Sequence, residues 1–266
     1  MIEWWQGLLL ALIQGLTEFL PISSSAHLLL PSMLLGWPDQ GLAFDVAVHF
    51  GTLTAVVVYF RQDLWALTEG GWAALVEREM NDSSWEITYL ALATIPAVIV
   101  GFILSDVMDS LRSVPVIATT TIVFALLLGY ADRRVESVAK TTVASWRVAL
   151  IIGCAQAIAP IPGTSRSGIT ITAGLLLGLS RHAAARFSFL LSIPIILGAA
   201  LFKVSEMMGA DTLVHLPVVL MGTAVAALSA YACIAVFLRL IEAVGMMPFV
   251  IYRLLLGAVL CALWWA

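Results

Sequence analysis

Charge is scarce in this chain. Only 11% of its 266 residues are Asp, Glu, Lys or Arg, against about 25% in a typical soluble domain. With 61% hydrophobic residues and a mean hydropathy of +1.02, that scarcity excludes a solvated globular surface and implies an integral membrane protein. Basic residues are fewer than acidic ones, 13 against 17, and the net charge of −4 leaves no footprint for a nucleic-acid partner. Cysteine is nearly absent too. Cys154, Cys233 and Cys261 lie far apart in apolar runs with no metal-ligand spacing, so they read as small buried hydrophobes and report no redox compartment. No Lys or Arg precedes the first apolar run, which argues against a cleaved secretory leader and predicts that the run is retained.

What the chain has in quantity is apolar runs, at about 3–20, 22–36, 43–60, 86–105, 114–131, 145–160, 166–179, 183–203, 216–238 and 247–265. A crossing helix takes about 20 residues, and the runs at 22–36, 145–160 and 166–179 are short for that. The first two runs, and the pair flanking Pro160 and Pro162, are joined by Pro- and Ser-containing breaks with almost no polar loop. Each pair is predicted to dip into the membrane and return, since irregular backbone at that depth must be buried in protein or line a wet cavity. Placing Gln14 on Gln156, an offset of 142, also places Ser23 on Ser165, Ser24 on Arg166 and Ser25 on Ser167. The expected fold is therefore an all-α polytopic membrane protein, one membrane domain over 1–266, with two re-entrant helix hairpins and about six transmembrane helices. It is read as an inverted-topology repeat, repeat one about 1–132 and repeat two about 144–266. Nine Lys and Arg fall in the breaks at 61–85, 132–147, 180–186 and 239–246, whereas the opposite face holds only Arg112 and Lys203. The positive-inside rule makes the first face cytoplasmic and sends both termini outward.

Two polar knots interrupt the apolar background. The first is Gln14-Gly-Leu-Thr-Glu18-Phe-Leu-Pro21-Ile-Ser23-Ser24-Ser25-Ala-His27, the second Pro162-Gly163-Thr164-Ser165-Arg166-Ser167-Gly-Ile-Thr170. Ionisable groups inside a membrane are expensive, about 2.5–3.5 kcal/mol each at the midplane, so they mark chemistry. Gln14 and Glu18 are four apart and share a helix face. A helix restarting after Pro21 would place free backbone N–H groups beside Ser23 and Ser24, a natural anion site. His27 stands at i+3 from Ser24 and i+4 from Ser23, spacings that let a hydroxyl meet the imidazole. Gly163 lets the second break close, and Arg166 presents a planar fork suited to phosphate oxygens. Together these groups are equipped for phosphoryl transfer by positioning and charge neutralisation. Asp45 and His49, also four apart, form a further polar pair that a helix start at the interface would equally explain.

On these two motifs the chain resembles the undecaprenyl-pyrophosphate phosphatase family, also known as bacitracin-resistance proteins, over essentially its whole length. The resemblance implies removal of the terminal phosphate from a polyprenyl pyrophosphate lipid, in the bacterial inner membrane, to regenerate the carrier for peptidoglycan synthesis. It further implies an outward-facing site, a divalent cation (magnesium or calcium) and a homodimer. Carried over by position, Ser24 is the nucleophile, Glu18 the motif glutamate and metal ligand, His27 the motif histidine and Arg166 the phosphate clamp. Gln14, Ser23, Ser25, Gly163, Thr164, Ser165, Ser167 and Thr170 then line the substrate pocket. Gln14 stands where the family often has a second glutamate, which shifts the burden of cation binding to Glu18 and the substrate's own oxygens. A type 2 phosphatidic-acid phosphatase also pairs Ser with His and Arg, but it needs a second His and an Asp after the arginine, and this chain has Thr172 and apolar residues there. A transporter is the rival from another class, because inverted repeats and broken helices are its usual hardware.

Overall fold

The computed structural model describes residues 2–103, 110–135, 139–207 and 216–265. Among these the chain is helical: α1 (Trp4–Thr17), α2 (Ser24–Leu35), α3 (Leu42–Tyr59), α4 (Arg61–Trp72), α5 (Asp82–Ile103), α6 (Val114–Asp132), α7 (Trp146–Gln156), α8 (Arg166–Leu176), α9 (Arg181–Met207), α10 (Leu216–Val244) and α11 (Met247–Trp265). Six of them, α3, α5, α6, α9, α10 and α11, are long and apolar enough to cross a membrane. The end of the apolar run at 86–105 lies outside the described residues. The chain is a multi-span membrane protein. Sequence periodicity missed α4, whose charged residues hid it among the loops.

The breaks fall where backbone chemistry puts them. Pro21 and Pro162 have no N–H to give, and helix resumes at Ser24, three residues after Pro21, and at Arg166, four after Pro162. The residue capping each restarted helix, Ser23 before α2 and Ser165 before α8, has positive φ, 73° and 71°. That conformation is strained for a residue with a side chain, about 1–3 kcal/mol, and persists only where the surroundings over-determine it. Each serine also meets the serine two residues on, Ser23 with Ser25 and Ser165 with Ser167, both at 3.3 Å between oxygens. The same local device therefore occurs twice, at the positions the sequence offset aligns.

Packing repeats as well. Helix α1 lies against α10, and α7 lies against α5. Both approaches are close enough to require glycine: a Cβ on Gly15 would stand 2.6 Å from the Ala226 carbonyl, and one on Gly153 2.4 Å from the Ala93 carbonyl. Gly153→Ala is expected to push α7 off α5 and destabilise the protein by about 1–3 kcal/mol, read as a lowered unfolding temperature in detergent.

The cation-rich breaks converge on one end of the bundle. Arg181 donates to Asp132 at 2.6 Å, and the Met246 N–H reaches the other Asp132 oxygen at 3.1 Å. Arg186 pairs with both Asp63 and Glu86, and Lys140 bridges the backbone of Gly178 and Ser180. Trp4, Trp5, Trp264 and Trp265 are exposed, as an interfacial belt requires. The cysteines correct the expectation of burial: Cys233 is buried, but Cys154 and Cys261 are exposed. A small hydrophobe suits the lipid-facing side of a membrane helix as well as its core.

Candidate active site

The two breaks meet. Ser167 Oγ donates to the Leu20 carbonyl at 2.8 Å, joining the second tip directly to the first. Behind them stands Arg253 of α11, fully buried. Its Nη1 donates to the Pro21 carbonyl at 3.2 Å, its Nη2 to the Gly163 and Thr164 carbonyls at 2.8 and 3.1 Å, and its Nε to Thr121 at 3.3 Å. One guanidinium thus ties the carbonyls of both tips together. Thr120 of α6 adds a bond to the Pro162 carbonyl at 2.6 Å. Gly163 has φ +87°, and a Cβ there would stand 2.2 Å from Thr120 Oγ1.

In front of this frame lies the chemistry. Glu18 Oε2 accepts hydrogen bonds from Ser24 Oγ at 2.6 Å and from Gln14 Nε2 at 3.0 Å. Its Oε1 accepts from Arg166 Nη2 at 3.3 Å, and Arg166 Nη1 is anchored on the Ser188 carbonyl at 3.1 Å. Glu18, in the break outside the spanning helices, is 8% exposed. Burial by itself raises its pKa, but the Arg166 charge, His49 and the bonds from Ser24 and Arg166 outweigh burial and hold it below the usual carboxylate value. The carboxylate therefore stands ionised against the serine hydroxyl.

These groups open into a cavity of about 500 Å³. Its polar foot is lined by Glu18, Ser23, Ser24, Ser25, Ser165 and Arg166, its apolar walls by Ala97, Val98 and Phe102 of α5 and Pro194, Ile195 and Ile196 of α9. Pro96 and Pro194 stand inside those two helices, where each removes a backbone hydrogen bond at the level of the cavity.

Of the residues chosen from sequence, Gln14, His27, Gly163, Thr164, Ser167 and Thr170 do not line the cavity. Gln14 orients Glu18. Thr170 Oγ1 donates to the Arg166 carbonyl at 2.8 Å and meets Ser188 Oγ at 2.7 Å, holding the turn that carries the arginine. Thr164 is fully buried with its hydroxyl unpaired. His27 departs most from expectation. Its Nδ1 lies 2.7 Å from the Ser23 carbonyl and its Nε2 2.6 Å from the Tyr252 hydroxyl, so both ring nitrogens are occupied away from Ser24. The imidazole at the cavity is His49, with Nδ1 on the Asp45 carbonyl at 2.7 Å and Nε2 4.0 Å from Glu18. The four-residue spacing of Asp45 and His49 was its sequence signal. Arg253 carried a weaker one, a lone cation deep in an apolar run.

Among the described residues no group of three or more His, Cys, Asp or Glu is arranged to hold a metal ion. The oxygens that fit a hard cation are the Glu18 carboxylate and Gln14 Oε1, which is buried and without a partner. That is too few for a resident ion and enough for one shared with a phosphate-bearing ligand.

These features define a class: a polytopic membrane protein with a carboxylate, a hydroxyl and a guanidinium gathered at the foot of an apolar-walled cavity. Within it, the chain belongs to the bacitracin resistance protein BacA family, whose model matches residues 7–259. It is 57% identical over 262 residues to an undecaprenyl-diphosphatase of Alcanivorax borkumensis, an alignment covering 97% of this chain and 98% of that protein.

Proposed function

We propose that this protein is an integral-membrane phosphatase that removes the terminal phosphate of undecaprenyl diphosphate and returns the monophosphate carrier to peptidoglycan synthesis, conferring bacitracin resistance. The observation that carries the mechanism is Ser24 Oγ at 2.6 Å from an ionised Glu18 whose other oxygen meets Arg166. The cavity matches the substrate: polar at its foot for a diphosphate, apolar along α5 and α9 for a prenyl chain.

Ser24 Oγ attacks the terminal phosphorus while Glu18 Oε2 takes its proton. The bond from that phosphorus to the bridging oxygen breaks, and its electron pair leaves with the prenyl monophosphate. Arg166 and the first-turn N–H groups of α2 neutralise the phosphoryl oxygens throughout. Water then attacks the phosphoserine phosphorus, and the phosphorus–Oγ bond breaks with its electron pair returning to Ser24 Oγ. Glu18 hands that oxygen the proton it took in the first step, and the protons of the attacking water leave with the released phosphate. His27 acts at one remove, fixing the Ser23 turn through its carbonyl. Glu18 and Gln14 Oε1, together with the substrate's oxygens, would hold a magnesium or calcium ion, which would supply further neutralisation of phosphate charge.

The repeated Ser23 and Ser165 turns support an inverted repeat, halves about 1–132 and 144–266, with α1–α2 and α7–α8 as re-entrant hairpins. Orientation is part of the same proposal: the positive-inside rule supports reading the cation-rich end as cytoplasmic, with the cavity and both termini on the outer side of the cell membrane. The assembly proposed is a homodimer.

Purified protein in detergent is expected to release inorganic phosphate from undecaprenyl diphosphate. Ser24→Ala should lower that rate about 10³-fold or more with the unfolding temperature unchanged. A lipid transporter without hydrolytic activity would release none.

A further inference from the structure

Gln156 ends α7 as Gln14 stands near the end of α1, but the two amides have different fates. Gln14 spends its Nε2 on Glu18. Gln156 is 1% exposed and lines the cavity, yet neither its Nε2 nor its Oε1 has a partner. A buried amide with donor and acceptor both unmet destabilises a fold, and it calls for a ligand that meets it. Its place in the cavity says which. On one side are Ala159 and Pro160 of the second break, leading to Ser165 and Arg166; on the other is α5, against which α7 packs, with Ala97 and Val98 on the cavity wall. Gln156 therefore marks the junction between polar foot and apolar wall.

A prenyl diphosphate with its terminal phosphate at Ser24 and its chain along α5 and α9 carries its other phosphate through that junction. Resting on the phosphatase reading, we propose that Gln156 binds the proximal phosphate, the one that stays on the product. Its Nε2 donates to a non-bridging oxygen of that phosphate, and its Oε1 accepts from a water hydrating it. The residue grips substrate and product alike without touching the phosphorus under attack.

The test is Gln156→Met, which keeps length and removes both orphaned atoms. The unfolding temperature is expected to equal or exceed that of the unaltered protein. The KM for undecaprenyl diphosphate and the inhibition constant for undecaprenyl monophosphate should each rise about tenfold, with kcat within about threefold. Unchanged KM and inhibition constant overturn the proposal, and so does a lowered unfolding temperature with unaltered kinetics, the mark of a structural amide. Should the Met variant fail to fold, Gln156→Glu sets a carboxylate against the phosphate at the same length. It must raise both constants, and unchanged values again overturn the proposal. Failure of the phosphatase reading itself would show separately, as no phosphate release from the unaltered protein.

Discussion

Arg166→Ala is expected to abolish turnover, lowering kcat about 10³-fold or more, in a protein that still folds. Two losses combine. The guanidinium no longer neutralises charge on the transferring phosphoryl group, a contribution of about 10²–10³ for one fixed donor and about 10³–10⁵ for an arginine at phosphoryl transfer. Glu18, deprived of the cation at 3.3 Å, also becomes a buried carboxylate that takes up a proton and can no longer receive one from Ser24. The fold survives because the tips are held by Ser167 and Arg253, not by the Glu18–Arg166 pair. Arg166→Lys keeps the charge but not the fork that spans Ser188 and Glu18, so it should recover part of the rate. Phosphate release and thermal unfolding, measured on the same preparations, check both halves of the expectation. Full activity in a folded Arg166→Ala protein would remove the arginine from the mechanism.

Arg253→Met should show the opposite pattern, with stability falling first and activity with it. The arginine meets four backbone carbonyls and is fully buried, so its removal strands acceptors on both tips and on α6 at once. Hydrogen bonds from a charged donor are worth about 1.5–3 kcal/mol each and do not add simply; a loss of about 3 kcal/mol or more is expected. A misplacement of about 1 Å between reacting groups costs about 10²-fold in rate, and slippage of the two tips should produce an effect of that size. Arg253→Lys offers three donors to four carbonyls and should recover stability in part. Wild-type unfolding and wild-type kinetics in the Met variant would mean the tips hold their register without it.

How much of this was legible in the sequence depended on range. The apolar runs located the six spanning helices to within a few residues at most ends, because burial in lipid writes itself into every position of a span. The two knots were legible because polar residues there have no cheap alternative explanation, and Glu18, Ser24 and Arg166 do converge. His27 does not meet Ser24, because its spacing from that serine permits a contact without enforcing it. The ring turned to the Ser23 carbonyl and to Tyr252, a partner 225 positions away. Arg253 gives only the weak signal of a lone cation in an apolar run, for a related reason: its partners are carbonyls, which every residue carries, so no side-chain pattern announces them. The α4 helix was missed because its charged residues, among them Asp63 paired with Arg186, give it no apolar run.

The central claim is that the two tips meet, and cross-linking tests it most directly. In a background with Cys154, Cys233 and Cys261 replaced, Leu20→Cys and Ser167→Cys together would stand where the Ser167 hydroxyl now reaches the Leu20 carbonyl at 2.8 Å. A thiol reagent spanning about 5 Å, a length set by the reach of paired cysteines, is expected to link them within the membrane in nearly every molecule. Folded, active protein in which the pair stays unlinked would contradict the account.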